Sequence, residues 1–391
     1  MYKEYYRRFL ALHPGEIHFT AHSHHFWPDV TREAVLCCWD DSARFVDDKW
    51  SFILEQIMPD AQELIARWIG SDTPRQIVFG ASTHEFICRL LSCFEPGSKL
   101  SILTTDSEFH SFWRQVRRLA EEPWVTIETV AVEAHESFNR RFLKSLERQS
   151  FDLVFLSQVF FNSGRAIADL ESFMTAVAES VRPETLIVLD GYHGFCALPT
   201  RIAPFADRVF YLAGGYKYAQ AGEGVCFLHS PPGCVLRPRN TGWFADFAGL
   251  SSDRGGPVDY PTDGSRFAGA TFDPSGIYRL KSVLELFASL DLDCEKIHAY
   301  VKTLQETFIA SLDRSKHPDI NRDNLLVDPD QPYGHFLTFR LASQEQTAML
   351  RADLKKAGIH ADHRGNQLRF GFGLYHDTTD IEAFFKRLSK M

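Results

Sequence analysis

Between residues 76 and 229, short apolar runs alternate with segments long enough to be helices, and this alternation limits the fold more than any other feature. The runs fall at 76–80, 99–104, 124–130, 152–157, 185–189, 208–213 and 225–229. Helical periodicity fills 83–94, 109–120, 136–149 and 169–181 between them. Strands buried on both faces read as unbroken apolar runs, and parallel neighbours need crossover connections of a dozen residues or more. The pattern therefore predicts an α/β fold, a large αβα domain around a mainly parallel seven-stranded sheet. A short strand at 16–20 and helices at 29–39 and 50–69 precede it. A Gly-, Pro- and Asp-rich stretch follows at 234–275, then a long helix from 276 to about 312. A smaller α+β unit completes the chain, with strands at 335–341 and 367–372 and helices at 344–357 and 380–390. This order suggests an N-terminal segment over 1–45, a large domain over 46–275 and a small domain over 276–391.

The composition narrows the partners. A formal charge of −9 argues against nucleic acid or anionic membrane as the main partner, and no apolar run reaches spanning length. The first residues, Met1 to Phe9, lack a signal-peptide core. Eight cysteines without Cys-x-x-Cys spacing or a regular framework point to a reducing cytoplasm.

Two of the strand ends carry reactive groups. The run at 185–189 delivers Asp190 and His193 in Leu-Asp-Gly-Tyr-His, and the run at 208–213 delivers Tyr216 and Lys217 in Gly-Gly-Tyr-Lys-Tyr. Ligands of open α/β sheets bind outside the carboxyl ends of the strands, so an acid, a histidine and a lysine can meet there. That set suits pyridoxal 5'-phosphate: a lysine amine to hold it as a Schiff base, and a carboxylate to keep its pyridine nitrogen protonated. Taken singly, Asp190 reads equally as a turn former and Lys217 as a solvated surface residue. Gly80-Ala-Ser-Thr-His84 joins a strand to a helix, where Ser82 and Thr83 suit either a phosphate or an ordinary N-cap. Phe109, in Glu108-Phe-His-Ser111, suits either stacking on a cofactor ring or core packing.

These motifs resemble the class V, fold type I pyridoxal phosphate enzymes, and kynureninases within them. Asp190-Gly-Tyr-His193 is similar to the family's Asp-x-x-His, and Tyr216-Lys217 to its Tyr-Lys pair. Thr241-Gly-Trp-Phe244 resembles the Gly-Trp-Trp or Gly-Trp-Phe element. Asp362-His-Arg364 and Leu368-Arg-Phe-Gly-Phe-Gly-Leu-Tyr375 resemble the C-terminal Asp-Phe-Arg and Leu-Arg-Phe-Gly-Phe-x-Pro-Leu-Tyr segments. The resemblance implies that Lys217 carries the cofactor and that Asp190 meets the ring nitrogen, supported by His193. It implies phosphate contacts from Ser82, Thr83, Tyr216, Trp243 and Thr271, and stacking by Phe109. Ser163 falls at the family's cofactor-binding Thr or Ser. Arg369 would clamp the substrate carboxylate, Tyr216 would move a proton near the γ-carbon, and Trp243 and Phe244 would wall the side-chain pocket. Kynureninase-like chemistry is hydrolytic Cβ–Cγ cleavage of a γ-keto L-amino acid by a homodimer, with no metal.

The departures fall at the mouth of the site. Phe109-His-Ser-Phe112 replaces Phe-Pro-Thr-Asp, Ala21-His-Ser-His-His25 replaces Gly-Asn-Ser-Leu-Gly, and Gly373 replaces a proline. These changes put His22 and Ser23 among the substrate-contact candidates and leave transamination or β-elimination open. A cysteine desulfurase needs a late nucleophilic thiol, but the last cysteine is Cys294. A metal-dependent amidohydrolase is the reading from a different class, with His22 and His24 as a strand-ending His-x-His.

Overall fold

The computed structural model describes residues 2–247, 249 and 256–391. Its centre is a seven-stranded sheet in the order β2-β8-β7-β6-β5-β3-β4. The strands are β2 (Ile77–Gly80), β3 (Leu100–Thr105), β4 (Val125–Val130), β5 (Leu153–Ser157), β6 (Leu186–Asp190), β7 (Val209–Gly214) and β8 (Cys226–His229). Only β8 runs against its neighbours, pairing antiparallel to both β2 and β7. Every residue of β2, β3, β5, β6, β7 and β8 is buried, as expected for strands covered on both faces. An open sheet of this kind excludes the barrel that the amidohydrolase reading requires.

A three-stranded antiparallel sheet, β11 (Asp362–Arg364), β12 (Gln367–Gly371) and β9 (Phe336–Arg340), forms the smaller unit. The first strand, β1 (Ile17–His18), pairs in parallel with β10 (Ile359–His360). Thr20 bridges to Gly371, so the start of the chain is sewn into its end. Aromatic rings dominate this core: Phe308 packs against Phe339, Phe370, Phe372 and Phe384, and Phe19 joins from the N-terminus. Each such ring contributes about 1.5–3 kcal/mol through burial.

The helices differ from expectation in three places. Residues 50–69 are interrupted by a π-turn at Ile53–Ile57, directly before the helix Met58–Ile69. Pro59 has no N–H to continue the preceding ladder, so the hydrogen-bond pattern resets there. The long helix expected from 276 is two helices, Ser275–Ser289 and Cys294–Ser315, the second capped by the Asp293 side chain. Finally, Ser275–Ser289 packs on the helix Val30–Phe45, and Ile297 still belongs to the large core, whereas Val301 and later residues belong to the small one. The two hydrophobic cores thus meet along the helix Cys294–Ser315. No helix among the described residues is long and apolar enough to cross a membrane.

Candidate active site

Because β2, β3, β5, β6 and β7 point the same way, their carboxyl ends share one edge of the sheet. Thr83 follows β2, Glu108 and Phe109 follow β3, Ser157 ends β5, Asp190 ends β6 and Lys217 follows β7. Thr83, Phe109, Ser157, Phe161, Asp190, Tyr192, His193, Tyr216 and Lys217 line one small cavity there. Glycine makes the close packing here possible: a β-carbon at Gly191 would strike the Tyr211 ring, and one at Gly214 would strike Tyr192 and Cys226.

Lys217 is buried, and its Nζ donates to His193 Nε2 at 2.7 Å. The Nζ also lies 4.7 Å from the centre of the Tyr192 ring and 5.5 Å from that of Phe109. Burial pushes its pKa down to about 7, against the attraction of Asp190 and with help from the Arg369 charge. The lysine is thus poised between its two protonation states near neutrality. Burial also holds His193 well below its ordinary value, with the nearby Lys217 charge adding to the effect. Asp190 accepts the Tyr192 backbone N–H at 2.9 Å, and its own pKa is raised by burial.

Glu108 is a second carboxyl beside Asp190 that the sequence reading passed over. It accepts from Thr105 Oγ1 at 2.6 Å, Ser157 Oγ at 2.5 Å and the Ser157 N–H at 3.2 Å. Burial pushes its pKa up to about 8, and the Asp190 charge adds to this. At pH 7 it is mostly the neutral acid, so the two carboxyls do not confront each other as two charges. The available signal was an acid directly after a buried strand, three residues from the threonine that ends it.

The C-terminal motif forms a linked group against this cavity. Arg369 is buried; its Nη2 donates to Asp362, its Nη1 donates to the Phe161 carbonyl at 2.7 Å, and its Nε has no hydrogen-bond partner. His22 Nε2 lies 3.5 Å from the Asp362 carboxylate. Burial alone would raise the Asp362 pKa, but His22 and Arg369 hold it well below the usual carboxylate range. Burial pushes His22 down to about 3, and the Arg369 charge adds to the effect.

The remaining candidates lie elsewhere. Ser82 caps the helix Thr83–Leu91 through the Glu85 N–H, next to the cavity wall. Ser163 lies in a separate cleft with Asp106, Glu133 and Arg165. Trp243 Nε1 donates to Thr271 Oγ1 at 3.0 Å, and neither residue lines the Lys217 cavity. Phe244 is buried against Trp50 and Phe272 and lines a different groove. Ser23 closes a turn on the Thr20 carbonyl, and His24 packs edge-on against Tyr216.

Residues 49–384 match the family model for aminotransferase class-V. The chain belongs to the aminotransferase class-V family. No curated protein matches the sequence. Among solved structures, the fold is similar to the cystine C–S lyase C-DES in complex with its product cysteine persulfide (TM-score 0.82, 18% identity, covering 98% of this chain and 99% of that one). A lysine-to-alanine mutant of C-DES, with glycine covalently linked to the PLP cofactor, gives a TM-score of 0.83 at 18% identity, with coverage of 98% and 99%. The apo cysteine desulfurase from Thermococcus onnurineus NA1 gives 0.75 at 16% identity, with coverage of 99% and 97%. Class-V enzymes use pyridoxal 5'-phosphate, and this site fits it. A buried amine faces a buried carboxyl, a capped helix start stands beside them, and His193 Nδ1 is buried without a partner.

Proposed function

We propose that this class-V enzyme breaks a bond to the β-carbon of an L-amino acid, with Lys217 exchanging the α-proton. The observation that carries the reading is the buried Lys217 amine, near-neutral in pKa, in one cavity with Asp190 and beside the Arg369 group. Bound pyridoxal 5'-phosphate supplies an electron sink next to the substrate α-carbon. Asp190 would face its ring nitrogen, Phe109 its face, and Ser82, Thr83 and Tyr216 its phosphate. Arg369 would orient the substrate carboxylate through a planar fork. Tyr216, whose pKa burial raises, keeps its proton at neutral pH and is our candidate donor near the γ-carbon.

Within this class we favour hydrolytic Cβ–Cγ cleavage of an aryl γ-keto amino acid, on the strength of the Gly-Trp-Phe and Leu-Arg-Phe-Gly-Phe elements. Elimination from a sulfur amino acid is the second reading, favoured by the shape shared with C-DES. Desulfuration through a protein persulfide has no support: no cysteine follows Cys294, which is buried with its thiol pKa raised by that burial. Product analysis separates the readings. Holoenzyme given kynurenine and 3-hydroxykynurenine should yield alanine and an aryl acid. Pyruvate and ammonia from cystine alone would replace hydrolysis with elimination, and turnover only with an added keto acid would mean transamination.

The same reading makes the enzyme a twofold homodimer in which Trp243 and Thr271 reach the partner's phosphate. Within their own chain the two bond each other outside the Lys217 cavity. Light scattering should give twice the 44.7 kDa chain mass. A monomer retaining stoichiometric cofactor would remove this arrangement.

A further inference from the structure

The N-terminal segment carries a second histidine-rich cluster, separate from His22 and His24. His13 Nδ1 and His18 Nε2 each lie 3.1 Å from Glu16 Oε2, and His360 Nε2 lies 3.2 Å from the same oxygen. Donor atoms of His13, Glu16 and His18 all fall within 4.8 Å of one another, and His360 stands outside that trio, joined to it through Glu16. His18 and His360 face each other as parallel rings with centres 4.0 Å apart, a consequence of their pairing across β1 and β10.

Hydrogen bonding alone accounts poorly for this arrangement. One carboxylate oxygen has about two favourable acceptor directions, yet three ring nitrogens converge on it. His360 Nε2 is shielded from solvent and makes no hydrogen bond of proper geometry.

We propose that His13, Glu16, His18 and His360 form a binding site for a divalent transition ion of the zinc class. Three imidazoles and one carboxylate are a borderline-soft N/O set, suited to zinc and poorly suited to calcium or magnesium. Metal–ligand bonds are about 2.0–2.2 Å, so the ring nitrogens need close by only about 1 Å around a shared centre while the Glu16 side chain backs away. Glu16 and His13 have the freedom to adjust, since their side chains are 39% and 38% exposed. The strand pairing fixes the backbones of His18 and His360, and their rings would turn about their side-chain torsions to converge on the ion. The ion would tie β1 to β10 four residues before His22, giving it a structural role that does not depend on the reaction at Lys217.

The test is metal binding by the holoenzyme. Chelator-treated, desalted protein is titrated with zinc by calorimetry and loaded separately with cobalt(II) to read its coordination from visible d–d absorption. One equivalent of zinc, an intense tetrahedral cobalt spectrum and a zinc-dependent rise in melting temperature are expected. His13→Gln and Glu16→Gln should each weaken zinc binding at least tenfold and abolish that rise. Both residues lie near the surface, so neither change threatens folding. Absence of saturable binding, or one equivalent bound equally well by both variants, would overturn the proposal.

Discussion

Lys217→Ala protein will be folded and colourless after dialysis, and it will have lost turnover. Loss of the proton-transfer group alone is expected to cost about 10²–10⁴-fold in rate. Wild-type holoenzyme should be yellow, and borohydride reduction followed by peptide mapping should place the adduct on Lys217. An adduct on another lysine would overturn the cofactor assignment. The reaction of the apoenzyme with cofactor also has a predictable pH dependence. The Lys217 pKa is depressed to about 7, so the reactive neutral amine dominates above that pH. The initial reconstitution rate should therefore rise about tenfold per unit below pH 7 and level off above it. A rate still climbing toward pH 10 would mean an ordinary, solvated lysine.

Arg369→Lys is expected to raise the substrate KM strongly while cofactor content stays the same. Losing a charge-assisted fork costs about 1.5–3 kcal/mol, roughly 10- to 150-fold in affinity. The structure adds a second expectation, because Arg369 also neutralises Asp362. Arg369→Leu leaves that carboxylate without its buried partner and should lower unfolding stability by about 3–5 kcal/mol, measured by denaturant titration. An unchanged KM in Arg369→Lys with a large stability loss in Arg369→Leu would make Arg369 a structural residue.

The strand ends were the most legible part of the site. Asp190, Lys217, Thr83 and Phe109 sit where apolar runs stop, and buried parallel strands leave little choice about where such residues go. Contacts between distant segments were less legible. The strands β10 and β11 are two and three residues long, too short for any periodicity to register. The Asp293 cap that splits the long helix has a visible sequence signal, but the apolar pattern runs across it. Ser163 and Phe244 matched motifs by type and order, yet their backbones aim them at a neighbouring cleft and at the core. Glu108 escaped notice because a glutamate at a strand end usually means solvent; here two hydroxyls and a backbone amide make burial tolerable.

Two departures from the kynureninase-like pattern, at positions 25 and 373, are in contact. A β-carbon at residue 373 would run into His25, which is buried and donates from Nδ1 to the Phe26 carbonyl at 2.7 Å. A side chain at 373 would therefore require the His25 ring to move. Gly371 makes the same allowance for His22. Gly371 and Gly373 thus leave room for two histidines, one of which lies 3.5 Å from the Asp362 carboxylate.

The parallel pairing of Ile17 with Ile359 also sets a clock on synthesis. Roughly 340 residues must be added after β1 before its partner exists, which takes on the order of tens of seconds at about 5–20 residues per second. Every strand of the large sheet emerges in that interval, so the nascent chain can assemble the lysine half of its site while Phe19 and the β1 strand wait without a partner. Residues 359–360 are what finally give residues 17–18 somewhere to go.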